Sequence, residues 1–78
     1  MGAKVRFINN LKPHQLETSD DGAWNVPSGT TIQDIVDRSG VEHGGWEFMY
    51  TVNGHAQLRA YALRDGDELV FMSPFIGG

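Results

Sequence analysis

The chain closes on Ser73-Pro74-Phe75-Ile76-Gly77-Gly78, and the carboxylate of Gly78 is the group whose surroundings best suit covalent chemistry. Two terminal glycines leave no side chain beside the reactive carbon. That suits a carboxylate threaded through a narrow channel and attacked there. Pro74 restrains Ser73 to an extended backbone and keeps the segment from turning back as a helix. Fully extended, these residues reach roughly 20 Å from a sheet. A terminal glycine pair is also a common frayed end, so the motif gains weight only from what precedes it.

The other candidates for chemistry are weaker. His14, His43 and His55 lie far apart in sequence, without the close spacing of a metal-binding set, and read as exposed or hydrogen-bonding histidines. Asp65 and Asp67 flank Gly66 as turn residues do, which explains them better than an acid–base pair. Gly44-Gly45 has no strand-to-helix setting for a phosphate loop and instead lets the chain turn beside Trp46. Ser73 has no histidine near it in sequence to activate it. Trp24 and Trp46 fit packing better than stacking on a ligand. With no cysteine, disulfides, thiol nucleophiles and thiolate metal sites are all excluded. No metal and no cofactor is expected.

At 78 residues there is room for one domain and little room for an enclosed catalytic cleft. A carrier, binding module or small subunit is favoured over a free-standing enzyme. Ten acidic against six basic side chains give a formal charge of −4, the wrong sign for a nucleic-acid partner. The same charge keeps a monomer soluble and suits a basic protein partner. No apolar run approaches the ~20 residues of a membrane span. Met1-Gly2-Ala3-Lys4-Val5-Arg6 opens like a myristoylation site, but Arg6 stands where Ser or Thr is required. The expectation is a cytoplasmic domain that is monomeric when free.

The elements that must position the tail follow from periodicity. Ala3 to Ile8 alternates as a half-buried strand, with Val5 and Phe7 on one side and Lys4 and Arg6 on the other. Asn9 to Gly22 is polar, and Leu16 is its expected inward anchor. Trp24 and Val26 form a short second strand ended by Pro27-Ser28-Gly29. Thr30 and Gln33 have capping-box spacing. They open a helix near Thr31 to Ser39, with Ile32, Ile35 and Val36 on its inner face and Gly40 as its stop. Glu47 to Val52 reads as a third strand with Phe48, Tyr50 and Val52 on one face. Asn53-Gly54 is a two-residue hairpin turn, so His55 to Leu58 is expected to return as a strand. Leu63 tucks inward, Asp65-Gly66-Asp67 turns, and Glu68 to Met72 forms the last strand. The order implies an α+β domain 1–78, with one helix packed on one face of a mixed sheet of roughly four or five strands.

In the last strand, Leu69 and Phe71 suit the core, which leaves Val70 and Met72 on the open face of the sheet. Pro74, Phe75 and Ile76 continue that apolar character into a flexible tail over 72–78. Either both faces of this strand are covered, or these side chains form a docking patch that leads into the tail.

Taken together, these residues resemble the MoaD/ThiS family of sulfur carriers, which have the ubiquitin-like β-grasp fold. The resemblance rests on Val52-Asn53-Gly54, on Leu63-Arg64-Asp65-Gly66-Asp67-Glu68-Leu69-Val70-Phe71 and on Ser73-Pro74-Phe75-Ile76-Gly77-Gly78. The last of these is similar to the end of the small subunit of molybdopterin synthase. Pro27-Ser28-Gly29-Thr30-Thr31-Ile32 also resembles the segment leading into the family's helix, whereas Asn9 to Trp24 departs in length and polarity.

The resemblance implies that an adenylating enzyme of the ubiquitin-activating type joins AMP to Gly78, and that a sulfur donor then leaves a thiocarboxylate there. Gly77, Ile76 and Phe75 would be the threaded tail. Val70, Met72 and Pro74 would dock on the adenylating enzyme and on a synthase large subunit or other sulfur acceptor enzyme. Molybdopterin synthesis is the favoured destination. Thiamine or cysteine synthesis, a ubiquitin-like modifier conjugated to lysines through Gly78, and a plain β-grasp interaction domain stand as alternatives.

Overall fold

The structure, a computed structural model, describes residues 2–74. Its strands are β1 (Gly2–Phe7), β2 (Trp24–Pro27), β3 (Met49–Val52) and β4 (Glu68–Met72), and its α-helix, α1, spans Ile32–Ser39. The strands form one mixed sheet in the order β2-β1-β4-β3. β1 runs antiparallel to β2 and parallel to β4, while β3 runs antiparallel to β4. The two central strands are parallel, so the chain must cross over between them, and α1 lies in that crossover. This is the α+β arrangement expected from the order of elements and the β-grasp that the family resemblance implies.

One face of the sheet packs on α1. Alternation puts Ala3, Val5 and Phe7 of β1 and Leu69 and Phe71 of β4 in the core with Ile32, Ile35 and Val36. The side chains expected inward on these strands and on the helix, Val5, Phe7, Ile32, Ile35, Val36, Leu69 and Phe71, are all buried there. Phe7 and Phe71, paired across the parallel strands, stack with centroids 4.5 Å apart. Tyr50 and Phe48 tilt against Phe71 at 5.5 and 6.1 Å. Trp24 is buried under the Arg38 guanidinium, 5.1 Å above its ring. Trp46, by contrast, is 52% exposed and is not a packing residue.

The start of α1 differs from expectation by one residue. The capping box is Thr31 with Asp34, not Thr30 with Gln33. The Asp34 N–H donates to Thr31 Oγ1 at 3.0 Å, and the Thr31 N–H donates to Asp34 Oδ2 at 3.0 Å. The Thr31 N–H foremost, with the Thr31 hydroxyl, holds the Asp34 carboxyl below its ordinary range. Thr30 instead closes the preceding turn, its hydroxyl donating to the Pro27 carbonyl at 2.7 Å. Gly40 ends the helix at φ 70°, as expected.

The expected return strand is absent. Asn53 (φ 51°) and Gly54 (φ 84°) do make the tight turn, and Val52 and His55 exchange backbone bonds. Beyond His55 the chain leaves the sheet, because its carbonyls serve the helix. Arg59 O accepts from the Gln33 N–H at 2.9 Å and Tyr61 O from the Ile32 N–H at 3.1 Å. First-turn amides that have no partner within a helix are satisfied in this way.

Two further expectations need correction. Leu16 is 51% exposed, and the inward anchor of the polar segment is Leu11, carried on a 3-10 helix over Asn9–His14. Of the tail expected over 72–78, Met72 instead belongs to β4 and Ser73 is 8% exposed. Phe75, Ile76, Gly77 and Gly78 lie outside the described residues.

Candidate functional site

The sheet face away from α1 is divided into an apolar corner and a charged half. Strand pairing places Met49 beside Met72, Thr51 beside Val70, and Arg6 on the other side of Val70. Val70 and Met72 are half-buried, and Met49 is 45% exposed. Half-buried Ile8 follows Phe7, its N–H donating to the Phe71 carbonyl at 3.1 Å, and so borders the same corner. Val70, Met72, Met49 and Ile8 thus form an apolar surface at the end of β4, and exposed Pro74 leads away from it.

Toward β2 the face becomes polar. Arg6 Nε donates to Glu68 Oε2 at 2.6 Å and Arg6 Nη1 to the Asp21 carbonyl at 3.0 Å. Lys4 pairs with the Asp21 carboxylate. The Lys4 ammonium, the Ser19 hydroxyl and the Ala23 N–H hold that carboxylate well below its usual range. Protein interfaces in general combine an apolar patch that supplies affinity with a polar rim that supplies register.

A polar cluster around one buried carboxylate sets the start of β4. Asp67 is 8% exposed. It accepts from the Arg64 N–H at 2.9 Å, from the Tyr61 hydroxyl at 2.8 Å and from Asn53 Nδ2 at 2.8 Å. The Arg64 N–H foremost, with Tyr61 and Asn53, lowers the Asp67 pKa, and the same bond to Asp67 raises that of Tyr61. Each oxygen of Asp67 is engaged in holding a turn, and Asp65 is exposed on the far side of Gly66. The cluster is structural, in agreement with the turn reading of these residues.

Of the expected site residues, Val70 and Met72 share one face with Pro74 beyond them, and Gly78, Gly77, Ile76 and Phe75 lie outside the described residues. Met49 and Ile8 were not expected in the patch. The signal for Met49 was present, since the alternation that turns Phe48, Tyr50 and Val52 inward turns Met49 outward. Among the described residues, no group of three or more His, Asp or Glu side chains could hold a metal ion. Nor is any described helix long and apolar enough to cross a membrane.

The model of the ThiS family matches residues 10–78. No curated protein matches the chain. Among solved structures, the crystal structure of SAMP1 from Haloferax volcanii is similar with a TM-score of 0.62 and 17% sequence identity, over 100% of this chain and 100% of that one. At that identity the likeness speaks to the fold.

Proposed function

The chain belongs to the ThiS family, and on that premise we propose that this ubiquitin-like carrier holds sulfur as a thiocarboxylate on Gly78 and delivers it in molybdopterin biosynthesis. A carboxylate is a poor electrophile because its oxygen is a poor leaving group. Adenylation by a ubiquitin-activating-type enzyme joins the Gly78 carboxylate to the α-phosphate of ATP and releases pyrophosphate. A hydrosulfide-equivalent donor then attacks the carbonyl carbon, the C–S bond forms, the C–O bond to AMP breaks and AMP departs. The resulting thiocarboxylate is a sulfur nucleophile for a synthase large subunit. The chain itself supplies no acid or base, and its role is to present the carboxylate.

The observation that carries this reading is the course of β4. One strand bears Val70 and Met72 on the open face and is followed in sequence by the segment that ends in Gly77-Gly78. A partner that grips the apolar corner therefore holds the root of the segment whose carboxylate must react, which converts docking energy into positioning. The resemblance of the Pro74 segment to the molybdopterin branch supports the choice of pathway.

The test is incubation with ATP, a cognate adenylating enzyme and a sulfur donor, followed by intact-mass measurement and transfer to candidate acceptors. A gain equal to one oxygen-to-sulfur exchange, followed by delivery to a molybdopterin precursor, is expected. Delivery only to a thiamine or cysteine precursor would move the carrier to another pathway. Isopeptide adducts on lysine without sulfur gain would make it a modifier.

A further inference from the structure

The two edges of the sheet are not alike. At β2 the edge is blunted: Pro27 has no N–H, and its carbonyl is taken by Thr30. Ser19 also lies against this strand, its N–H donating to the Ala23 carbonyl at 2.8 Å and its hydroxyl accepting from Asn25 Nδ2 at 3.1 Å. At β3 the edge is open. In antiparallel pairing, successive residues direct their backbone groups alternately toward and away from the partner strand. The Asn53 N–H donates to the Glu68 carbonyl at 2.9 Å, so Asn53, Thr51 and Met49 face β4 while Val52 and Tyr50 face outward. Val52 is closed off by His55, with bonds of 2.7 and 2.9 Å. Tyr50 keeps an outward N–H and C=O that meet no described group.

Met49-Tyr50-Thr51-Val52 carries no charge and no proline, the usual devices that protect an exposed edge. Met49, about half exposed, opens this strand, and Trp46, also about half exposed, precedes it in sequence by three residues. We propose that the outer edge of β3 accepts, by strand addition, an extended segment of a partner protein with alternating apolar residues and a lysine or arginine beside Glu47. This stands on the edge geometry and not on the chemistry at Gly78.

Charge and register select that occupant over a second copy of the chain. Glu47, two residues before Met49, is exposed and belongs to none of the ion pairs among the described residues, which join Lys4 to Asp21, Arg6 to Glu68 and Arg59 to Glu42. A two-fold pairing centred on Tyr50 would end after that one residue, because the next pair needs Val52, which His55 already occupies. A two-fold centred on Phe48 would set the two Glu47 side chains on a diagonal about 7–8 Å apart. It would also bring together two chains each of formal charge −4. A basic segment meets neither obstacle.

The experiment is amide hydrogen exchange by NMR on the isotope-labelled full chain. In the free, dilute protein the Tyr50 amide should exchange roughly tenfold or more faster than the Thr51 amide, which faces β4. The probe is a synthetic peptide, acetyl-Lys-Val-Thr-Val-Lys-Val-Thr-amide, compared with the same peptide bearing Glu in place of Lys. The basic peptide should slow Tyr50 exchange and the acidic one should not. Glu47→Lys, at a side chain in no ion pair among the described residues, should reverse that preference. Slow Tyr50 exchange in the free dilute chain, or equal response to the two peptides, would overturn the proposal. Failure of the basic peptide to protect Tyr50 at millimolar concentration would do so too, as would protection that rises with chain concentration and so identifies a second copy.

Discussion

Asn53 and Asp67 lock two turns together: Asn53 Nδ2 donates to Asp67 Oδ1 at 2.8 Å, while Asn53 Oδ1 accepts from the Glu68 N–H at 2.9 Å. One side-chain amide thereby ties the turn after β3 to the turn before β4. It holds the two strands in the register that sets Met49 against Met72. The apolar corner depends on a polar cluster at the opposite end of the same strand pair.

Asp67 should therefore make stability depend on pH. Its folded pKa is lowered, foremost by the Arg64 N–H, so its contribution is present above the unfolded value of about 3.9 and is lost as pH falls through the lower folded value. Asp67→Asn should cost about 1–3 kcal/mol at neutral pH, because one part-buried donor loses its acceptor. Urea denaturation from pH 7 to pH 2 should show this penalty shrinking at the acid end. A penalty constant across that range would mean the charge of Asp67 does not matter.

Thr31→Ala should destabilise the fold by about 0.5–2 kcal/mol, since it removes the acceptor for the Asp34 N–H. Thr30→Ala removes only the hydroxyl bond to Pro27 and tests which threonine caps the helix. Thermal unfolding of the two variants should rank Thr31→Ala as the more damaging. The reverse order would restore the capping box to Thr30 and Gln33.

The contrast between these threonines shows where the sequence was legible. Alternation in Val5 and Phe7, in Leu69 and Phe71, and the helical spacing of Ile32, Ile35 and Val36 report burial directly, so those elements were readable. The cap was displaced because Asp34 closes the box as well as Glu or Gln would. The Asn53-Gly54 turn is a local signal that points to a return strand, whereas the departure after His55 answers a distant demand from the first turn of α1. Leu11 was missed because side-chain bonds, not periodicity, organise its segment. Gln15 Oε1 accepts from the Phe7 N–H at 3.0 Å, and Gln15 Nε2 donates to the Gly22 carbonyl at 3.1 Å. In the patch, Val70 and Met72 followed from one strand, while Met49 required knowing which strand lies beside it.

Ile35→Ala should cost about 2–5 kcal/mol, because Ile35 is wholly buried between α1 and the sheet. Leu16→Ala, at a half-exposed side chain, should stay within about 0.5 kcal/mol. Chemical denaturation of both variants separates the observed core from the one expected around Leu16. A large effect at Leu16 would reverse that correction.

Met72→Asp should leave the monomer folded, since Met72 lies on the face away from α1 and is only half-buried. In a complex it would place an unpaired carboxylate in a desolvated contact, so binding to the adenylating enzyme should weaken strongly. Circular dichroism checks the fold, and titration calorimetry checks binding. An unfolded variant would assign Met72 to the core, and unchanged binding would place the docking surface elsewhere.

The tail provides the most direct test of the carrier reading. One alanine appended after Gly78 should not disturb folding, because the core is built from residues well before it. It moves the carboxylate one residue onward and sets a Cβ beside it, so adenylation should fail. Gly77→Val should fail in a different way, by filling a narrow channel with a branched side chain. With ATP, the adenylating enzyme and a sulfur donor, intact-mass measurement should show one oxygen-to-sulfur exchange in the parent chain and none in either variant. Either variant sulfurated as fast as the parent chain would remove Gly78 from the chemistry and leave a β-grasp interaction domain in its place.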